Sequence, residues 1–231
     1  MSFRGPDRLR LHRPVDLLVA LVGGILTLPV TLLAVACAAV STRSSGIFRQ
    51  NRVGRNGEIF TVYKVQTMRA HSDPSTVTTA DDRRITPVGG TMRRFKIDEL
   101  PQLVNVARGE MALLGPRPDV AGFADLLKGG NRRVLEVRPG ITGPATLLMR
   151  DEEQMLVAAD DAEQANREVL YPIKTAVNRS WIESGTLWDD ARLLVWTVFS
   201  PSEQSLYRLF DRWDPTLRAS SLFRRLQEMS A

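Results

Sequence analysis

Two adjacent carboxylates, Asp98 and Glu99, stand directly before Leu100-Pro101. Proline is accommodated in the first turn of a helix, so the pair is expected at a helix N-terminus. There the carboxylates can serve as plain caps. They can also do chemistry, because the orphan backbone N–H groups and the helix dipole keep them ionised and favour a phosphate beside them. An ionised Asp is a nucleophile, and a neighbouring carboxylate can hold a hard cation such as Mg²⁺. Two carboxylates would repel an anionic substrate unless cations screen them, and Arg93, Arg94 and Lys96 immediately precede the pair. Arg117 lies between Pro116 and Pro118, and Arg138 precedes Pro139-Gly140. Each of these basic residues alone reads as a solvated surface charge. Together they have the character of an anion clamp, since proline-fixed loops present guanidinium groups with little mobility.

The elements that must position these residues follow from the pattern. Ile47-Phe48, then Gly54 and Asn56-Gly57, then Ile59–Tyr63 predict a β-hairpin with a tight turn. Residues 66–80 are polar and read as loop, and Asp82–Gly90 as a turn-rich approach to a helix. Leu100–Val106 form the apolar face of a helix that Arg108-Gly109 ends, and Gly115-Pro116-Arg117-Pro118 cannot be helical. A helix is expected from about Asp119 to Lys128, closed by Gly129-Gly130. Arg138–Pro144 is a second turn-rich loop. Helical patterns cover Glu152–Val177, broken near Pro172, and Asp189–Phe199. Two amphipathic pieces end the chain: Leu206, Leu209, Phe210 and Trp213 recur at helical spacing, with Leu222, Phe223, Leu226 and Met229 beyond Pro215. Packing on the domain, lying on a membrane surface and pairing with another chain all remain open for them.

Leu17–Thr42 is uncharged over 26 residues and would measure about 39 Å as one helix, enough to cross a bilayer. A cleaved signal sequence has a shorter apolar run, and Ala34 stands where a lipobox before Cys37 would want Leu. Arginines flank both ends: Arg4, Arg8, Arg10 and Arg13 before, Arg43, Arg49, Arg52 and Arg55 after. Both flanks therefore carry the cytoplasmic charge signature, which a single crossing cannot satisfy. A helix broken at Pro29 that dips into the cytoplasmic leaflet and returns satisfies both, with Thr27 and Thr31 placed to take up carbonyls freed at the break. The competing reading is a Pro-kinked spanning anchor.

With 231 residues the chain has room for one domain plus appended segments. One cysteine excludes an intramolecular disulfide scaffold and a Cys-cluster zinc site, and two histidines leave little scope for His-based metal chemistry. The net charge of +5 suggests phosphate partners in nucleic acid, lipid or a small substrate. No aromatic-interleaved basic stripe or nucleic-acid motif is present, so nucleic acid is not expected. A two-carboxylate glycosidase fits poorly, because adjacent residues seldom flank a glycosidic bond at the required separation. A membrane-tethered, non-catalytic binding or scaffold protein is the alternative from a different class.

The run from Arg93 to Val106, followed by Gly109-Glu110-Met111, Gly115-Pro116-Arg117-Pro118 and Pro139-Gly140-Ile141-Thr142-Gly143, resembles the bacterial sugar transferase family, the monotopic polyprenyl-phosphate phosphoglycosyl transferases. The similarity extends from about Arg13 to Phe199, and Asp82–Thr86 and the Pro29 segment are also in place. The resemblance implies that Asp98 attacks a nucleotide-diphosphate sugar, most naturally a UDP-sugar. A nucleoside monophosphate leaves, and polyprenyl phosphate then takes the phosphosugar. It implies Glu99 and Asp98 as ligands of Mg²⁺ or Mn²⁺, and Arg93, Arg117, Arg138, Arg150 and Lys64 as phosphate- or substrate-binding residues. It further implies a monotopic protein at the inner membrane of a bacterial cell, with its catalytic domain on the cytoplasmic side and in contact with that face's lipids; self-association stays open. The sequence departs from the family pattern at Gln66, where Arg is usual, along Ala145–Met149, including Thr146 and Met149, and at Glu168, where Asp is usual; these bear on substrate fit. The expected fold is α+β: a basic segment (1–14), a re-entrant membrane hairpin (15–42), a mostly helical catalytic domain with a small sheet (43–200), and an amphipathic tail (201–231).

Overall fold

The computed structural model describes residues 9, 12–69, 79, 81–157, 159 and 161–230. Arg4, Arg8, Arg10 and much of the 66–80 loop lie outside that set. The fold mixes helices with two small sheets. A single apolar helix, α1 (Arg13–Thr42), leads into the hairpin of β1 (Ile47–Val53) and β2 (Ile59–Val65). The strands pair antiparallel, Val53 opposite Ile59, and Asn56 and Gly57 take φ of 58° and 85°, the left-handed turn that Asn-Gly favours. Helices α2 (Pro87–Arg94) and α3 (Gln102–Arg108) follow, then β3 (Ala112–Leu114) and β4 (Gly140–Thr142), which pair in parallel.

The remainder is helical: α4 (Pro144–Leu148), α5 (Glu152–Val157), α6 (Ala162–Ala165), α7 (Tyr171–Ser184), α8 (Leu187–Val198), α9 (Glu203–Trp213) and α10 (Ser221–Ser230). The main core gathers around α7, where Trp181, Ile173 and Val177 meet Leu193 of α8, Phe210 of α9 and Phe223 of α10. The segment after residue 200 therefore packs onto the domain through its apolar stripe. Buried Trp181 Nε1 donates to Asp190 at 2.7 Å, and a reciprocal cap between Thr186 and Asp189 starts α8.

Three local expectations are corrected. No helix forms over 119–128: the Asp119 carbonyl accepts the Val53 N–H at 2.8 Å, Gly122 takes φ of 97°, and only a tight turn at Ala124–Leu126 remains. Gly89-Gly90 lie inside α2 rather than in a turn, because a Cβ on Gly89 would stand 2.1 Å from the Thr67 carbonyl oxygen, so the helix docks backbone to backbone there. Pro172 does not interrupt the helix; it sits in the first turn of α7, directly after a wide π turn at Asn166–Leu170.

Helix α1 is continuous through Pro29, so the expected break is not a gap in the helix. The hydroxyls of Thr27 and Thr31 donate to the carbonyls of Gly23 (2.7 Å) and Thr27 (2.9 Å), not to that of Ile25, whose bond the proline removes. By length and composition the helix can cross a membrane. Both of its ends are fixed to the rest of the chain. At the start, Arg13 donates to the carbonyls of Val106 (2.6 Å) and Ala107 (3.0 Å), Asp16 accepts the Leu113 N–H (3.1 Å), and Ala20 packs with Val62, Val106 and Met111. At the end, Ala34 and Ala38 pack with Val65 and Met92, and Gly46 is pressed against the Val35 carbonyl. Between these contacts Ile25, Leu26 and Leu33 are about 70% exposed, an apolar surface that water does not favour.

Candidate active site

The Asp98-Glu99 pair sits in a tight turn, Ile97–Glu99, just ahead of α3. Lys96 turns the chain with φ of 57°, a left-handed conformation uncommon for a side chain of this size. Neither carboxylate caps α3, whose N-cap is Pro101, so the plain capping role is not realised. Asp98 is buried, and its Oδ1 has no hydrogen-bond partner among the described residues. A buried, unsatisfied carboxylate oxygen is costly and needs a reason.

Charge partners gather on Glu99. Its Oε1 accepts from Lys64 Nζ at 3.1 Å and from Arg117 at 2.6 Å. Strand β2 delivers Lys64, and the Gly115–Pro118 loop delivers Arg117. That loop is held by close backbone approach: a Cβ on Gly140 would fall 2.1 Å from the Gly115 nitrogen, and one on Gly143 2.3 Å from the Gly115 carbonyl oxygen. The two proline-rich loops can therefore stack only as glycines. Asn105, fully buried on α3, fixes the helix to β2 by donating to the Thr61 carbonyl at 2.7 Å and accepting the Tyr63 N–H at 3.3 Å.

The electrostatics separate the two acids. Burial pushes the Glu99 carboxyl upward, but Arg117 and Lys64 outweigh it and hold Glu99 far below the usual carboxylate range. Burial and the Glu99 charge push the Asp98 carboxyl up, against the pull of Lys64, Arg93 and Lys96. Burial and Arg117 lower Lys64 to about 8, with Glu99 opposing. Two neighbouring acids in environments that drive them apart have different tasks: Glu99 is a fixed anion holding two cations, and Asp98 is a buried carboxylate beside them whose Oδ1 has no partner among the described residues.

Of the residues singled out from the sequence, Asp98, Glu99, Lys64 and Arg117 converge, and Arg93 adds its field while pairing with Glu153. Arg138 and Arg150 are turned elsewhere. Arg138 donates from Nε to the Gly109 carbonyl at 2.8 Å, and Arg150 bonds the Ser200 hydroxyl. Gln66 accepts from Ser44 at 2.9 Å and donates to the Met68 carbonyl at 3.1 Å, tying the hairpin to the end of α1. Pro29 lies in the exposed stretch of α1.

A second charged group behind Arg117 has no counterpart in the sequence reading. Burial raises Asp119 to about 6 among Lys174, Arg52, Glu152 and Arg117. Lys174 pairs with Glu152, and Arg52 donates to the Pro118 carbonyl at 3.1 Å. Their only trace in the sequence is an acid two residues after the proline-framed arginine, which reads equally well as a helix start.

Residues 8–203 match the bacterial sugar transferase family. The chain belongs to this family. The UDP-glucose:undecaprenyl-phosphate glucose-1-phosphate transferase of Escherichia coli (strain K12) is 32% identical over 201 residues, 84% of this chain and 40% of that protein. The protein of the same name in Caulobacter vibrioides is 32% identical over 194 residues, 80% of this chain and 67% of that protein. The exopolysaccharide production protein ExoY of Rhizobium meliloti is 29% identical over 203 residues, 80% of this chain and 83% of that protein.

Proposed function

We propose that this sugar transferase moves a sugar 1-phosphate from a UDP-sugar to undecaprenyl phosphate, an early step of exopolysaccharide, capsule or related glycan assembly. The observation that carries the reading is Asp98: a buried carboxylate with an unpartnered oxygen, flanked by Glu99, Lys64 and Arg117, inside a chain that matches the family from end to end of this site. In the first step Asp98 Oδ1 bonds to the sugar-bearing phosphorus and the bond to the nucleoside monophosphate breaks; in the second, the lipid phosphate oxygen attacks and Asp98 leaves as carboxylate. Lys64, Arg93 and Arg117 offset the charge on the phosphoryl oxygens as it is redistributed.

The donor set suits a magnesium ion. Magnesium is commonly bound by one or two carboxylates together with substrate phosphates, and Glu99 with Asp98 supplies the carboxylates. Among the described residues no group of three acids, histidines or cysteines could cage a metal alone, so substrate phosphates would complete the shell. When bound, the ion would neutralise phosphate charge beside Asp98.

We further propose that α1 enters the cytoplasmic leaflet and returns. A straight crossing would carry one end of α1 to the far face, whereas Asp16 and Ala38 both dock on the domain that holds Asp98. The reading supports a monotopic protein on the cytoplasmic side, where a soluble nucleotide sugar and a lipid phosphate meet.

A panel of UDP-sugars with undecaprenyl phosphate, reading UMP release, tests the reaction. Asp98→Asn should reduce turnover by about 10³-fold or more, since an amide is no nucleophile. It should leave the fold intact, because it removes a buried charge. Near-normal turnover by a folded Asp98→Asn protein would remove Asp98 from the chemistry.

A further inference from the structure

A cavity of about 310 Å³ lies apart from Asp98, lined by Arg55, Asn56, Glu136 and Arg138 around an apolar floor that includes Leu9 and Leu114. Its two guanidinium groups come from different elements. Arg55 sits in the turn of the β1–β2 hairpin, and Arg138 opens the loop into β4. Each is held by one bond to main chain, Arg55 Nε to the Glu136 carbonyl at 3.0 Å and Arg138 Nε to the Gly109 carbonyl at 2.8 Å. Holding a guanidinium by Nε fixes its plane and leaves the terminal N–H groups to bind in a fork. Among the described residues neither arginine forms an ion pair.

The surroundings add positive charge. Arg13 lies against Gly109, where a Cβ would come within 3.3 Å of its guanidinium, and both of its terminal nitrogens are taken by carbonyls. Burial, then Arg13 and Arg55, make protonation of Arg138 harder, with Asp16 the acid that eases it. Asp16 is committed to the Leu113 N–H, and Glu136 is exposed at the rim. Like charges crowded about a cavity raise the energy of the empty state, and an anion with several acceptor oxygens lowers it.

We propose that this cavity binds a phosphate group through the terminal nitrogens of Arg55 and Arg138. Charge-assisted bonds from two forked donors suit a tetrahedral oxyanion, and Asn56 adds an amide at the same wall. The phosphate is carried either by an anionic lipid headgroup or by a soluble ion. Leu9 in the cavity wall, four residues before the apolar helix α1 begins, supplies an apolar surface for an acyl chain and makes the lipid the better-matched source. The proposal does not depend on the reaction assigned to Asp98, because none of its residues touches that centre.

The test uses the full-length protein in a neutral detergent, following its thermal midpoint as ligand is titrated. The probes are short-chain phosphatidylglycerol, short-chain phosphatidylcholine and inorganic phosphate. A saturable rise with phosphatidylglycerol, weakened about tenfold, or ~1.4 kcal/mol, by Arg55→Gln, supports a lipid site. An equal rise with inorganic phosphate, equally weakened, supports a soluble phosphate at the same arginines. Arg55→Lys should retain part of the affinity, since it keeps the charge and loses the fork; this controls for folding, as does the ligand-free midpoint of each variant. Identical titrations for wild type and Arg55→Gln, or no saturable rise with any anion, would overturn the proposal.

Discussion

Asp98 and Glu99 are neighbours in sequence with opposite electrostatic fates, and the difference predicts a pH profile. Activity should rise as Asp98 ionises, with a midpoint above the ordinary value of 3.8, because burial and Glu99 disfavour its charged form. It should fall as Lys64 loses its proton near pH 8, leaving Glu99 with one cation fewer beside an anionic substrate. Lys64→Arg should move the alkaline limb upward, since a guanidinium keeps its proton throughout this range. An alkaline limb that stays in place would assign it to another group. Glu99→Gln should raise the magnesium concentration needed for half-maximal rate and cost about 1–3 kcal/mol of stability, because Lys64 and the partly exposed Arg117 lose their charged acceptor. Metal titration together with denaturant unfolding separates the two effects, and an unchanged titration would take Glu99 out of the metal shell. At this scale the sequence was legible where residue types were unusual: two adjacent acids, a proline-framed arginine, a basic run. Arg52, Asp119, Glu152 and Lys174 were not, because each is an ordinary surface charge until the fold gathers them at one half-buried place. Arg138 had the right chemistry in the wrong place, since nothing in a loop sequence says which carbonyl will take the Nε.

At the scale of elements, turn chemistry and helix punctuation carried most of the reading. Asn56-Gly57 fixed the hairpin, and Gly109, at φ of 82°, ended α3 as expected. The misplaced elements share a cause. Gly89-Gly90 and Asp119–Lys128 were judged by local propensity, while the deciding contacts, the Thr67 backbone and the Val53 N–H, come from segments distant in sequence. The same kind of contact makes the Gly115 and Gly140 loops one unit. Gly140→Ala should force those backbones apart and destabilise the protein by about 1–3 kcal/mol, in line with overpacking elsewhere. Because Arg117 rides on the Gly115 loop, the variant should lose activity beyond its loss of folded protein. The two losses are read as a thermal midpoint and as UMP release per folded molecule. Gly57→Ala gives the contrast, since a Cβ there meets no atom within 4 Å and only its φ of 85° resists. Full specific activity in folded Gly140→Ala would show that the loop contact supports the fold without positioning Arg117.

For the whole molecule the decisive question is how a largely apolar helix about 45 Å long relates to a domain that grips both of its ends. The paired arginine flanks of the sequence and the two docked ends in the fold both support the proposed re-entrant arrangement, in which positions before and after α1 share a side of the membrane. Single cysteines placed at Arg10 and at Arg49, in a Cys37→Ser background, should therefore both react with an impermeant maleimide from the cytoplasmic side, and neither from outside. Pro29 tunes this arrangement, because a proline leaves the Ile25 carbonyl without its helical donor and makes bending there cheap. Pro29→Ala restores the donor and stiffens α1 against bending, and a stiff apolar helix of this length is free to cross. The docking of Arg13 and Asp16 at one end and of Ala34 and Ala38 at the other opposes that change, so a fraction of molecules, rather than all, should expose one flank outside. Those molecules should also lose turnover, having placed the domain away from one of its substrates. Labelling of either flank from outside in the protein with Pro29 intact would establish a spanning anchor and would require one of the two docked ends to detach in the membrane.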